Sequence, residues 1–222
     1  MKLKKIASLM LAGVMAVSML AGCSNGTKPD DDKKDPTVNT GMAGNVIAAL
    51  DEDTTKNVEF TADSNLETVL NKAVQNAGYN GMKRIDADDL NAIDSDISKN
   101  TQLTNVNNNK DGVKDNDSKE SKATFVAYVA GNGMNETAVA KALAAEVDAY
   151  KIGKVLNANV EWSKLPEYSK DYKDSDGETF WYDFAYAANI AVVELSDAVN
   201  GQTSYVVAVT VTRTPTQTYK HA

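Results

Sequence analysis

From residue 58 onward the apolar positions recur with two periods, and their succession lays out a domain. Val58, Phe60 and Ala62 alternate with Glu59 and Thr61, the period of a strand with one buried face. Leu66, Val69, Leu70, Ala73, Val74 and Ala77 then recur at helical spacing, opened by Ser64 and Glu67 as an S-x-x-E capping box and closed by Gly78. A second helix is expected from Asp86, read as its N-cap, with Ile85 and Leu90 as a hydrophobic staple and Leu90, Ile93 and Ile97 as its stripe. After a polar interval at 100–122, Ala123–Ala130 is an apolar run of strand length that ends in the turn signal Gly131-Asn132-Gly133. Asn135 caps a third helix, whose inward face is read as Val139, Ala142, Leu143, Glu146, Val147 and Tyr150, with Gly153 as its stop. Leu156, Ala158, Val160 and Trp162 alternate as another half-buried strand.

The longest alternation comes last. Phe180, Tyr182, Phe184, Tyr186, Ala188, Ile190 and Val192 share one face, and Trp181, Asp183, Ala185, Ala187, Asn189, Ala191 and Val193 the other, although the alanines leave a partly helical reading open. Asn200-Gly201 offers a turn, Tyr205–Thr212 returns as a second strand, and Pro215 is expected to end it. Together these elements predict an α+β domain: a mainly antiparallel sheet of about five strands with two or three helices packed on one face. A faint internal echo accompanies them. Glu67, Thr68, Lys72 and Ala73 match Glu136, Thr137, Lys141 and Ala142 at one constant offset, each set on a helix that follows a strand.

Upstream of the domain the pattern changes character. Lys2, Lys4 and Lys5 precede an uncharged run from Ile6, and the run ends in Leu20-Ala21-Gly22-Cys23. Basic tip, apolar stretch and small residues before a cysteine are the layout of a secretory leader. The tetrapeptide resembles the lipobox of bacterial lipoproteins, which implies cleavage before Cys23 and a diacylglycerol on its thiol. Cys23 is the one cysteine of the chain, so it has no internal disulfide partner. On this reading residues 1–22 are a signal peptide, 23–44 a flexible tether and 45–222 a single domain. The expected address is extracytoplasmic, lipid-anchored to the cell membrane. The tether centres on Thr27–Pro36, where mixed charge and two prolines occur without apolar residues to bury.

Charge and composition then narrow the chemistry. Loss of residues 1–22 removes three lysines and no acid, leaving 20 basic against 31 acidic residues, a formal charge of −11. Nucleic acid is a poor partner for such a balance, because phosphates call for clustered Lys and Arg. His221, the penultimate residue, is the one histidine, which leaves no basis for a His-based triad or a His/Cys zinc site. Glu161, Glu178, Asp183 and Glu194 are the available acid–base candidates, and no catalytic motif surrounds them. Gly131-Asn132-Gly133 is only half of a G-x-G-x-x-G fingerprint, with Glu136 at the last position. Asn107, Asn109, Asp111, Gly112 and Asp115 imitate an EF-hand loop, but Ser118 stands where the bidentate Glu belongs. Asp86, Asp88 and Asp89 are explained by the helix start they occupy, where the macrodipole favours negative charge.

No metal or cofactor is therefore expected. The remaining binding candidates are aromatic: Trp181, Tyr182 and Tyr172, set among Trp162, Tyr168 and Phe180, form a possible stacking platform for a glycan. The functional expectation is a membrane-anchored, non-catalytic module binding a glycan or protein ligand at the cell envelope. Its alternative is a carboxylate-dependent enzyme acting on envelope glycan.

Overall fold

In chain order the elements are α1 (Gly41–Ala49), α2 (Glu52–Thr55), β1 (Val58–Ala62), α3 (Ser64–Asn76), α4 (Ala87–Asn100), β2 (Ser121–Ala130), α5 (Glu136–Ala149), β3 (Tyr172–Lys173), β4 (Thr179–Asp197) and β5 (Gln202–Tyr219), with a 3-10 turn at Trp162–Lys164. This computed structural model describes residues 39, 41–79, 85, 87–100, 117–150, 161–197 and 201–220. Outside the described residues lie Cys23 and the expected tether up to residue 38, Asp86, the EF-hand-like positions 107–115, Gly153, positions 156–160 of the expected strand, Asn200 and His221.

The sheet runs β1-β4-β5-β2, with β3 beside β4. It is mixed: β1 lies parallel to β4, while β3–β4, β4–β5 and β5–β2 are antiparallel. The β4–β5 hairpin is its spine, registered from Phe180 opposite Tyr219 to Asp197 opposite Gln202.

Helices cover both faces, not one. Val46 of α1 and Val139, Leu143 and Val147 of α5 pack with Ala188, Ile190 and Val192 of β4 in one core. Leu66, Leu70 and Val74 of α3 and Ile93 and Ile97 of α4 pack with Ala191, Val193 and Leu195 in a second. The physical reason was written in β4 itself. From Ile190 to Val193 both of its faces are apolar and buried, as is true of Val206–Val209 opposite, and a strand buried on both sides requires two helical layers. The helix number rises to five among the described residues because α1 and α2 were not anticipated. α1 carries two glycines and α2 is one polar turn, so neither has strong helical propensity. Gly41–Gly44, assigned from sequence to the tether, are the first turn of α1, and Gly44 is buried.

Four local expectations are revised. Asp63, not Ser64, caps α3: its Oδ1 accepts Asn65 N–H at 2.8 Å and Leu66 N–H at 3.1 Å, while Oδ2 accepts Asn189 Nδ2–H at 2.7 Å. A carboxylate can serve all three donors, which a hydroxyl cannot. On α5 the buried face holds Ala140 and Ala144 with Val139, Leu143 and Val147, and Glu146 points to solvent. Trp162 heads a 3-10 turn instead of ending a strand, its indole N–H bonded to Val147 O at 2.8 Å. Finally, β5 passes straight through Pro215. Phe184 N–H bonds to Glu167 O, away from β5, so its partner Pro215 occupies a non-hydrogen-bonded pair and its missing donor would have faced the outer side. There β2, which reaches only Arg213, no longer flanks β5.

The sequence echo has a counterpart in topology. α1-β1-α3 and α4-β2-α5 are two helix–strand–helix units; their strands point the same way at opposite edges, and their helices exchange faces. A half-turn about the strand direction relates the two, and the antiparallel pair β4–β5 between them breaks the symmetry.

Candidate functional site

At its Phe180 end the hairpin extends past the helices, and Phe180 and Tyr182 belong to neither core. Their rings instead cover one another. On the α5 side of the sheet Tyr172 stacks on Phe180 at 5.6 Å and meets Tyr182 edge-on at 6.0 Å, and Tyr219 leans on Phe180 at 5.6 Å. Such offset and edge contacts suit the ring quadrupole. Tyr219 is 39 % exposed, so the cluster presents a shallow aromatic surface to solvent.

Hydrogen bonds fix that surface from behind. Ser169 N–H donates to Tyr182 O at 2.8 Å, and Tyr182 N–H donates to Ser169 Oγ at 2.9 Å, which straps the preceding loop to β4. Tyr172 O–H donates to Asp117 Oδ2 at 2.5 Å. Asp117 also faces the buried Arg213 at 4.0 Å, whose guanidinium lies 4.4 Å above the Phe184 ring. Burial, and then the Asp117 acceptor, hold the Tyr172 hydroxyl well above the ordinary tyrosine range. Tyr186 is pushed up likewise, chiefly by burial, with Arg213 opposing, and its O–H donates to Pro166 O at 2.9 Å. Both tyrosines are therefore neutral donors at physiological pH.

Of the three residues singled out from sequence, Tyr172 and Tyr182 come together and Trp181 does not. Trp181 lies on the opposite face, its indole N–H bonded to Asp183 Oδ1 at 2.9 Å, and Asp183 Oδ2 accepts Thr218 O–H at 2.5 Å. Tyr168 bridges to Asp183 from the flanking loop and is 64 % exposed. Opposed residues of a bridge share a face, so Tyr168 stands on the same side of the sheet as Trp181, behind the first cluster. Sequence reasoning missed Tyr219 because the strand was stopped at Pro215. The signal was present: Thr210, Thr212, Thr214, Thr216 and Thr218 keep period two straight through the proline.

Asp183 and Glu194, two of the carboxylates named from the sequence, do not converge. Asp183 and Glu194 stand on one strand, on opposite faces and eleven residues apart, roughly 36 Å at ~3.3 Å per residue. Glu161 pairs with Lys164 at 2.7 Å. Among the described residues no group of three potential metal ligands gathers, and Asp88 and Asp89 occupy the first turn of α4.

A second concavity lies at the other end of β4. β1 stops at Ala62, opposite Ile190, whereas β4 continues to Asp197. The groove left beyond β1 measures about 540 Å³. Gly41–Ala43 of α1 form one wall, Glu67 and Asn71 of α3 the other, and Val192–Glu194 the back. Glu194 bonds Tyr205, its cross-strand partner, and the Tyr205 hydroxyl is raised first by burial and then by that carboxylate. Tyr205 also explains the glycine turn, since a Cβ on Gly131 would lie 2.5 Å from its ring, and Gly133 adopts φ +73°.

Comparison with protein-family models, curated proteins and solved structures finds no match to this chain. Its chemistry has to be argued from the two surfaces just described. No described helix is long and apolar enough to cross a membrane.

Proposed function

We propose that this chain is a lipid-anchored, extracytoplasmic binding module that holds a cell-envelope glycan on the aromatic end of its hairpin. The observation that carries the reading is the half-exposed cluster of Tyr172, Tyr182 and Tyr219 around Phe180. Flat rings whose hydroxyl and backbone groups are already tied down by Asp117 and Ser169 offer stacking faces without a further ordering cost on binding. Location rests on the lipobox-like Leu20-Ala21-Gly22-Cys23. The alternative, a carboxylate-dependent glycan hydrolase, needs two carboxyls within roughly 5 to 10 Å across a cleft. The wide separation of Asp183 from Glu194 argues against these two as its acid and base.

Two experiments test the halves of this proposal separately. In cells fed a labelled fatty acid, Cys23→Ala should abolish lipid labelling and leave the leader uncut; persisting label would remove the anchor. In a pull-down on purified peptidoglycan and other envelope polysaccharides, the full chain should be retained, and Tyr172→Ala or Tyr182→Ala should cut retention at least tenfold while the fold stays intact by circular dichroism. Retention that ignores both tyrosines would refute the aromatic surface as the site.

A further inference from the structure

The groove at the far end of β4 is the unfilled continuation of the lane that β1 occupies. Four contacts establish which way the main chain of β4 points. Tyr182 O accepts Ser169 N–H, Phe184 N–H donates to Glu167 O, Ile190 O accepts Asp63 N–H, and Ser196 O accepts Tyr79 O–H, all on the side away from β5. With period two, the N–H and C=O of Val192 and Glu194 point the same way, into the groove. Among the described residues no strand pairs with them there. Val192 and Glu194 both line the groove, so their main-chain groups are open to a partner placed in it.

The walls say what would fit. A strand laid against Val192 and Glu194 would run between α1 and α3, with alternate side chains directed to the two helices. Met42 and Ala43 on the α1 side suit small apolar side chains. Glu67 on the α3 side is an exposed carboxylate and suits a cation, whereas the exposed Glu194 carboxylate lies on the α1 side of β4 beside Tyr205. Asp63 at the floor is already committed to its three donors. We infer that this lane is a docking site for an extended, lysine- or arginine-bearing peptide, taken up by strand addition to the open edge of β4 beyond Ile190. Main-chain bonds to Val192 and Glu194 would supply the grip, and Glu67 on the α3 side the preference for positive charge. The site is separate from the aromatic surface and does not depend on it.

The test uses the full chain and a fluorescently labelled, end-blocked heptapeptide of alternating valine and lysine, read by anisotropy. Saturable binding is expected. The same peptide N-methylated on alternate residues, in the frame that faces Val192 and Glu194, should bind at least tenfold more weakly, since it cannot donate to the edge. Methylation in the other frame should be tolerated, and a valine–glutamate peptide should not bind. Glu67→Lys should weaken the lysine peptide several-fold. The peptide modifications probe recognition without altering the protein, so a misfolded variant cannot mimic a positive result. Failure to bind at millimolar peptide, or binding indifferent to N-methylation in both frames, would overturn the proposal. Survival of peptide binding in Tyr172→Ala would show that it fails or stands independently of the glycan reading, and its loss there would overturn the lane.

Discussion

Between Ala188 and Leu195, β4 lies between helices on both faces, whereas between Thr179 and Asp183 its side chains join neither core. The residue choice follows the cover. Where helices press on both sides the strand reads Ile, Ala, Val, Val at positions 190 to 193, side chains small or branched enough to fill a layer at packed density. Where they do not, it reads Phe, Trp, Tyr, and the rings make their own cover while remaining half in water. One end of the hairpin is thus spent on holding the fold, and the other is left available for contact with something else.

Four measurements would break or sharpen that contrast. Ile190→Ala removes a fully buried side chain between α1, α5 and the sheet, and should cost roughly 2 to 5 kcal/mol by chemical denaturation. Asp63→Ala strips the cap of α3 and the bond to Asn189, and should cost about 1 to 2 kcal/mol. Phe180→Ala at the uncovered end should cost only about 1 kcal/mol, well short of the ~3 to 5 kcal/mol lost with a buried phenylalanine; a larger loss would mean that end is part of the core. Tyr186→Phe, at the boundary between the two regions, should fall within about 1 kcal/mol of the parent near pH 7, through the bond to Pro166.

Tyr186 also carries a pH signature. Its hydroxyl is raised in the folded state, as is that of Tyr172, so the folded protein holds the proton more tightly than the unfolded chain. The stability this confers is present in full below the ordinary value of 10.0 and is lost as pH rises beyond it. Melting temperature should accordingly hold steady up to about pH 10 and then decline. The decline should be shallower in Tyr186→Phe; an identical slope would mean that this tyrosine does not titrate late.

Much of the architecture could be read from alternation. The faces assigned to β4 hold residue by residue, and α3 buries Leu66, Leu70, Ala73 and Val74 as its spacing indicates. What escaped had specific physical causes. The second helical layer was hidden because a strand apolar on both faces looks the same, locally, as one that is merely hydrophobic. α1 was hidden by glycines, one of which is tolerated because Gly44 packs against the Asn39 backbone, where a Cβ would come within 2.5 Å. The parallel pairing of β1 could not be read at all, since period two carries no strand direction. For the aromatic surface, Tyr172 and Tyr182 were legible as a loop and a strand residue of like chemistry. Asp117 and Arg213, which fix and flank it, come from segments 55 and 41 residues from Tyr172, and no local pattern links them.

The length of the hairpin has a mechanical consequence. Gly41, the first residue of α1, lies beside the groove near Ile190, and the aromatic surface begins about ten residues away along β4, some 33 Å at ~3.3 Å per residue. A pull between those two points therefore runs nearly parallel to β4. Load in that direction shears the β1–β4 and β4–β5 ladders, so many hydrogen bonds must yield together, whereas a perpendicular pull would unzip them singly. If the tip binds its ligand as proposed, tension between it and α1 would load the geometry least prone to give way.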